Sequence, residues 1–294
     1  MNDEFFLRIR EIDTDIISLN VKLERYNTMK LNSIARYFIT PKTFLQLKKV
    51  LQLIKRYNIK YFVIGNGSNV LLSEREKECI IKLNFFKSES NYILMANELI
   101  PTLSMKFLNN GNSGLEYLSM IPASVGGAIY MNAGAYGHNF SDIVEYVYII
   151  DEYFNFKVIR KDDCCYDYRS SVFKYRKWII LGCKVTLFRE NKENLKRIMD
   201  ECRKKRKDSQ PLEYPNCGSI FKNIGEIKAW ELINKVSLNG YRSNGAKISD
   251  KHSNFIINYD NATYKDIIDL IDMIKDRVKK HYDINLESEI ILID

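Results

Sequence analysis

The stretch IPASVGGAIYMNAGAYG, Ile121 to Gly137, holds four of the chain's thirteen glycines in seventeen residues. Ala123, Ser124, Ala128, Ala133 and Ala135 stand among them, while most of the rest of the chain is bulky. Gly126, Gly127 and Gly134 permit backbone angles closed to other residues. Small side chains also let a flat or charged ligand lie directly on the main chain. Ser124, Asn132 and bare N–H groups are then available to bond phosphates and heterocycle edges. The competing interpretation is a packed glycine turn in the core. Seventeen residues is long for that, and the polar Ser124, Asn132 and His138 fit it poorly.

A second small-residue turn, Gly65, Asn66, Gly67, Ser68 and Asn69, lies inside KYFVIGNGSNVLLS, which reads strand, turn, strand. A Rossmann loop needs G-x-G-x-x-G followed by a helix. Here the sixth position is Val70 and the following VLLS has strand character, so that assignment fails. Two glycines can still aim successive N–H groups at an anion; the alternative is a hairpin-like turn with no ligand. Two such loops together imply an extended ligand with two faces to hold, such as a dinucleotide.

The 294 residues are enough for two or three domains, and 46% of them are hydrophobic. No apolar run approaches the ~18 residues of a membrane span, and MNDEFFLRIREID has no signal-peptide pattern, so a cytosolic protein is expected. None of the six cysteines forms a C-x-x-C pair and there are only three histidines, which argues against zinc and for free thiols. The net charge of +8 raises nucleic acid as a partner, with RKKRK, Arg203 to Lys207, as its patch. That run closes an expected helix at 190–207, where cations suit the negative end of the dipole, and no aromatics are interleaved. Small anionic ligands are the better fit.

The rest of the chain reads as α+β. Residues 1–26 suggest a helix with Phe5, Phe6 and Ile9 on one face, then a linker. Thr43 caps a helix in which Phe44, Leu47, Val50, Leu51 and Ile54 recur at helical spacing. EYVYIIDEYFNFKVIR reads as two strands around a polar turn, and WIILGCKVTLF as another strand. The prolines of DSQPLEYPNCGS mark a domain junction. Thr263 with Asp266 approximates a capping box before Ile267, Ile268, Leu270, Ile271, Ile274 and Val278. INLESEIILID closes the chain as a strand. The expected lobes are 1–26, 27–85, 86–207 and 208–294.

GNGSN, GLEYLSMIPASVGGAIYMNAGAYG, YRSSVFK, YPNCGSIFKN, GYRSNGAKISDKHSNFIIN and LESEI resemble, in that order, the motifs of the UDP-N-acetylenolpyruvoylglucosamine reductase (MurB) family. The likeness runs from about Asn27 to Asp294, and the short last lobe is similar to type II members. The resemblance implies a cytoplasmic bacterial flavoenzyme with a three-lobed FAD-binding fold of the vanillyl-alcohol-oxidase (PCMH) type and a C-terminal α+β substrate lobe. Its FAD takes hydride from NADPH and passes it to an enolpyruvyl ether, giving UDP-N-acetylmuramate for peptidoglycan; one flavin face serves both steps, so the nucleotide leaves first. The partner implied is a nucleotide-sugar, with no nucleic acid, membrane or obligatory protein. The chain departs from the motifs at Asn32-Ser33-Ile34, Met95-Ala96-Asn97, Ala123-Ser124, Ile224 and Asn244.

By that resemblance FAD is held by Gly65, Asn66, Gly67, Ser68, Asn69, Pro122, Ala123, Ser124, Gly126, Gly127, Asn132, Ala133 and Gly134. Hydride addition to the terminal enolpyruvyl carbon leaves charge beside the carboxylate, so the site needs a cation and a proton donor. Arg169 supplies a planar fork for a carboxylate. Ser219 fits the donor, with Lys222 or a water to polarise it, and the resemblance implies that Glu289 is the catalytic acid; Glu287 shares its strand face. A surface ion pair, a turn serine and a strand-end carboxylate are the respective bland alternatives. Tyr168, Gln210, Asn223, Arg242 and Lys251 are candidate anchors for the substrate's diphosphate and sugar. Cys217 and His252 are expected to be structural, and His281 to end a helix. Two alternatives remain: another FAD oxidoreductase of the same fold, or a non-redox nucleotide-sugar or nucleic-acid binding protein. The second would be colourless.

Overall fold

The structure, a computed structural model, describes residues 4–294. The chain forms two compact units. One contains the segment ending at Val21 together with Ala35–Asn66 and Lys77–Lys204. The other contains Lys22–Ile34, Gly67–Glu76 and Lys205–Asp294.

The first unit opens with helix α1, Glu4–Ile12, which buries Phe5 and Ile9; Met1–Asp3 of the expected N-terminal helix and linker lie outside the described residues. The linker expected after it contains a strand, Ile17–Lys22, at the edge of a four-stranded sheet. Its sequence, ISLNVK, alternates apolar and polar residues, but of the apolar ones only Ile17 is fully buried. Next in the sheet come Ile34–Ile39, Lys77–Ile81 and Tyr61–Val63. These three run parallel, with Tyr37 opposite Cys79 and Phe62 opposite Ile80. Helix α2, Phe44–Arg56, begins where Thr43 accepts a hydrogen bond from the Gln46 N–H at 3.2 Å. Its buried Leu47, Val50, Leu51 and Ile54 are the periodic residues of the sequence.

Parallel strands bring their C-terminal ends to one edge, so residues 40–43, 64–66 and 82–85 emerge together. Ligands of open α/β sheets bind at such an edge. The second sheet of this unit is antiparallel, ordered Phe156–Arg160, Val144–Ile150, Ile179–Val185, Ile93–Met95. The first two strands are the expected hairpin, with Tyr148 opposite Val158. Helix α3, Ile100–Asn110, stops at Gly111, whose φ of 65° is left-handed. Helix α4 is Val125–Met131, and α5 is Lys192–Ser209. One continuous core includes Phe5, Leu51, Phe107, Ile129, Val147 and Cys183.

The second unit holds helices α6, Ala229–Lys235, and α7, Tyr264–Tyr282, with a sheet of Arg242–Ser243, Ala246–Ile248 and Ile256–Asn258. Its core gathers Met29, Leu71, Cys217, Phe221, Ile233 and Ile271. Val70–Leu72 pairs in parallel with Ile291–Ile293, Leu71 opposite Leu292. The strands flanking GNGSN therefore pair with other strands, not with each other, and the hairpin alternative fails. Asn244 stands in the left-handed region at φ 44° and donates to Asp266 at 2.7 Å. Asparagine tolerates that conformation better than other side-chain-bearing residues, which explains how it replaces a glycine.

The capping box of α7 is complete. Asp266 N–H donates to Thr263 Oγ1 at 3.1 Å, and Thr263 N–H donates to the Asp266 carboxylate at 2.9 Å. Thr263→Ala is expected to lower stability by about 1 kcal/mol in urea unfolding, while Thr263→Ser holds it within a few tenths. Equal losses from both would rule out the cap as the cause. Among the described residues all six cysteines are free and no His/Cys/Asp/Glu group is arranged for a metal. No described helix is long and apolar enough to cross a membrane.

Candidate functional site

Gly65 sits at the strand edge just defined. A Cβ there would overlap Ser124 Oγ, so the glycine is required for the close approach of these two segments. Asn66 Nδ2 donates to the Pro122 carbonyl at 2.7 Å, making a second tie. The structure therefore joins Gly65 and Asn66 to Pro122, Ala123 and Ser124.

The stretch expected to be bare loop is in part a helix. Val125–Met131 is helical for seven residues, and Ser124 Oγ accepts from the Gly127 N–H at 3.2 Å. Gly126 lets the helix close on Ala96: its N–H bonds the Ala96 carbonyl at 2.9 Å, and an added Cβ would lie 3.1 Å from the Ala96 Cβ. Part of the small-residue pattern thus serves packing. Gly127 differs, since a Cβ there would meet only Ser124 Oγ, at 3.5 Å. It leaves room on one side of α4, of the sort that the implied FAD requires, although its N–H is already bonded to Ser124.

Asn132 ends α4 with a φ of 44° and is buried. Both ends of its amide are engaged within the protein: Nδ2 donates to the Asp167 carbonyl at 3.0 Å, and Oδ1 accepts from Ser141 N–H at 3.2 Å. It joins loops instead of presenting its amide to a ligand, as the sequence predicts for it. Ala133 accepts from Phe140 N–H at 2.8 Å. At Gly134 an added Cβ would overlap Asn139 Oδ1 and lie 3.1 Å from Arg169 Nη1.

Arg169 is carried on a turn in which Asp167 and Ser170 exchange backbone hydrogen bonds at 3.1 Å. Its own φ is 52°, and the Lys174 ammonium donates to its carbonyl at 2.7 Å. Arg169 Nη2 donates to the Gly134 carbonyl at 2.8 Å, and the guanidinium carbon stands 5.2 Å from the Tyr168 ring centre. The structure therefore fastens Arg169 to the end of the glycine stretch, with Tyr168 beside it and 43% exposed. Lys174 closes the YRSSVFK motif, which assigns it no role, and Asn139 lies just outside the glycine motif. Lys174 two residues beyond Val172 in SVFK is the closest the sequence comes to a signal.

Gly67, Ser68 and Asn69 belong to the second unit. A Cβ on Gly67, at φ 66°, would overlap the Tyr26 carbonyl oxygen. Asn69 donates to the Glu289 carbonyl at 3.2 Å and accepts from Ile291 N–H at 3.0 Å. Ser219 follows Gly218, whose φ is 82° and whose N–H donates to Asn216 Oδ1 at 3.0 Å. Glu289 N–H donates to the Ile220 carbonyl at 2.7 Å, and Lys222 N–H to the Glu287 carbonyl at 2.9 Å. The structure thus puts Ser219 and Glu289 on neighbouring backbone segments, while Arg169 belongs to the other unit. The buried Cys217 thiol is pushed up to about 12, chiefly by burial and further by the Glu289 carboxylate. It is a packing residue, as its surroundings in the sequence suggest. The Lys222 ammonium, one of the two groups expected to polarise Ser219, is paired with the Glu287 carboxylate at 2.5 Å.

The substrate candidates are scattered in role. Asn223 Oδ1 accepts from Ala229 N–H at 3.1 Å, at the start of α6. Arg242 stacks on Tyr259, 4.5 Å from its ring centre. Lys251 donates to the Lys207 carbonyl at 2.5 Å near the C-terminus of α5, where a cation is favoured. RKKRK lies in that same helical end. The Gln210 side-chain carbonyl is buried with no hydrogen-bond partner. His252 is held down by burial and accepts from Asn254 N–H at 3.3 Å, while His281 lies in the last turn of α7.

The sequence did not point to a cavity of about 370 Å³ in the first unit, lined by Phe44, Phe85, Phe86, Met95, Phe156 and Leu181 among others. It is assembled from residues remote in sequence, and no local motif announces it.

Residues 210–293 match the family described as UDP-N-acetylenolpyruvoylglucosamine reductase, C-terminal domain, and residues 35–153 match that described as FAD binding domain. The curated UDP-N-acetylenolpyruvoylglucosamine reductase of Carboxydothermus hydrogenoformans is 37% identical over 277 residues, 92% of each chain. That of Caldanaerobacter subterraneus subsp. tengcongensis is 35% identical over 280 residues, 94% of this chain and 93% of the relative. The crystal structure of UDP-N-acetylenolpyruvylglucosamine reductase from Thermus caldophilus has a TM-score of 0.83 and 31% identity, covering 95% of this chain and 99% of that one.

Proposed function

The chain belongs to the UDP-N-acetylenolpyruvoylglucosamine reductase family, and we propose that Arg169, Ser219 and Glu289 carry its reductive step. The protein is an FAD-dependent oxidoreductase with the α+β FAD-binding fold of the vanillyl-alcohol-oxidase kind. It uses NADPH to reduce the enolpyruvyl ether of UDP-N-acetylglucosamine to UDP-N-acetylmuramate, a peptidoglycan precursor. Of the lobes expected from sequence, 27–85 and 86–207 would hold the cofactor and 208–294 the nucleotide-sugar, although Lys22–Ile34 and Gly67–Glu76 fold with the last of these. The reaction takes place in the cytoplasm and needs no nucleic acid, membrane or obligatory protein partner.

When bound, FAD would supply a two-electron relay between NADPH and the terminal carbon of the enolpyruvyl group. Gly65 to Asn69 and the residues from Pro122 to Gly134 named above, apart from the Asn132 amide, would hold it, with Gly127 the least crowded of the glycines in α4. Arg169 faces the enolpyruvyl carboxylate and lowers the energy of the enolate as charge builds there. Its fixed charge and planar fork suit that task. Ser219 Oγ gives its proton to the carbon beside the carboxylate, and the C–H bond formed there completes the lactyl ether. The serine is reprotonated from solvent. Glu289, on the segment paired with Ile220, orients the intermediate. Tyr168, Gln210, Asn223, Arg242 and Lys251 are retained as substrate anchors, with Gln210 favoured by its unpaired buried carbonyl.

The observation that supports this most directly is the fastening of Arg169 to the Gly134 carbonyl. It ties the charged group needed by the olefin to the segment assigned to the flavin. The purified protein is expected to show a flavin spectrum and to oxidise NADPH stoichiometrically with the enolpyruvyl nucleotide-sugar. A flavin-free protein, or one indifferent to that sugar nucleotide, would sink the assignment.

A further inference from the structure

Lys82 is a partly buried cation at the edge where the parallel strands end. Its ammonium donates to the Gly65 carbonyl, at the root of the GNGSN turn. Among the described residues no carboxylate is paired with it. Burial holds the amine below its ordinary value, and no acid raises it. A lysine in such a setting lacks a counter-ion, and a desolvated charge is costly until it acquires one. Lys42 at the same edge is different, since Asp13 stands 3.4 Å and Asp15 4.0 Å from its ammonium.

Resting on the FAD assignment, we propose that Lys82 is the counter-ion of the cofactor's diphosphate. An ammonium has three donors. One is directed at Gly65 and positions the turn; the diphosphate takes up the charge. The anion's arrival compensates a cation already desolvated, so little further desolvation is needed on the protein side. The turn and its counter-ion are coupled: the same nitrogen that orders the Gly65 peptide meets the ligand lying on it. The ligand class follows from the chemistry. A dianionic diphosphate fits, and a neutral flavin lacking phosphate gains nothing from Lys82.

The test separates charge from the hydrogen bond to Gly65. Flavin-stripped wild type, Lys82→Gln and Lys82→Arg are titrated with FAD and with riboflavin, reading flavin fluorescence. Glutamine keeps a donor but removes the charge. Lys82→Gln is expected to weaken FAD about 10- to 100-fold and riboflavin less than about twofold. Lys82→Arg is expected to stay within a few-fold of wild type for both. The dependence of log Kd for FAD on log salt should be shallower in Lys82→Gln by about one ion. Equal losses of FAD and riboflavin would show that Lys82 only braces the turn, and unchanged FAD affinity would remove it from the site. Lys82→Met, also uncharged, gives the same discrimination should Lys82→Gln fail to fold. A wild type that binds neither flavin overturns the cofactor assignment itself, a result distinct from the others.

Discussion

Ser219→Ala is expected to leave reduction of the flavin by NADPH within about twofold of wild type and to slow enolpyruvyl reduction about 10³-fold. The surroundings of the residue make this a clean substitution. Among the described residues the Ser219 hydroxyl has no hydrogen-bond partner in the protein. The backbone about it is held by other atoms: Gly218 N–H by Asn216, Ile220 N–H by the Asn254 carbonyl at 2.9 Å, and the Ile220 carbonyl by Glu289 N–H. Removing the hydroxyl therefore subtracts a proton donor and little else, and thermal stability should not move. Stopped-flow measurement of the two half-reactions distinguishes the outcomes. If both half-reactions slow together, Ser219 shapes the site and does not deliver the proton. If neither slows, the donor is another group, and Glu289, on the adjacent paired segment, becomes the first to test. Glu289→Gln would then carry the larger loss.

The parts of the molecule legible in its sequence are those whose signals are local. Helices α2 and α7 each have a threonine cap and an apolar period, and both form as expected. The hairpin of Val144–Ile150 with Phe156–Arg160 is announced by two apolar runs around polar residues. The glycine stretch was legible as special but not in shape. VGGAIYM has no helical apolar period and two poor helix formers, yet it is helical because Ser124 caps it and Ala96 receives Gly126. Tertiary contact outweighs propensity there. The strand Ile17–Lys22 is an alternating ISLNVK run inside the segment expected to be a linker, and as an edge strand it leaves most of its side chains exposed. Among candidate site residues, identity was easier to read than engagement. Asn132, Lys222 and Lys251 have the right chemistry for ligands, and each is bonded within the protein. Lys82 is the converse case. Among 45 lysines and arginines nothing distinguishes it, because its significance depends on Gly65 reaching it from another strand.

Arg169→Met is expected to lower kcat for enolpyruvyl reduction by about 10²- to 10³-fold, the usual cost of losing one charged stabiliser of a developing anion. Lysine should recover little of this. Arg169 Nη2 already bonds the Gly134 carbonyl at 2.8 Å, so the side chain has a structural anchor as well as a charge. A guanidinium can bridge a backbone carbonyl and a second group because its donors spread over a planar fork; an ammonium places all of its donors on one atom. Arg169→Lys must therefore choose between anchoring the turn and meeting a carboxylate. The residue also occupies the left-handed region at φ 52°, a strain that the Asp167–Ser170 bonds and Lys174 maintain whatever side chain is present. Both variants should accordingly fold, with thermal midpoints within a few degrees of wild type. The informative contrast is between kcat and KM. An arginine that stabilises charge appearing only in the transition state lowers kcat when removed, whereas one that merely holds the substrate raises KM and spares kcat. A pure KM effect, or full recovery by lysine, would reduce Arg169 to a binding cation and leave the enolate without its assigned stabiliser. NADPH-dependent flavin reduction supplies the internal control: it should persist in both variants, and its loss would mean that breaking the bond to Gly134 had disturbed the cofactor segment itself.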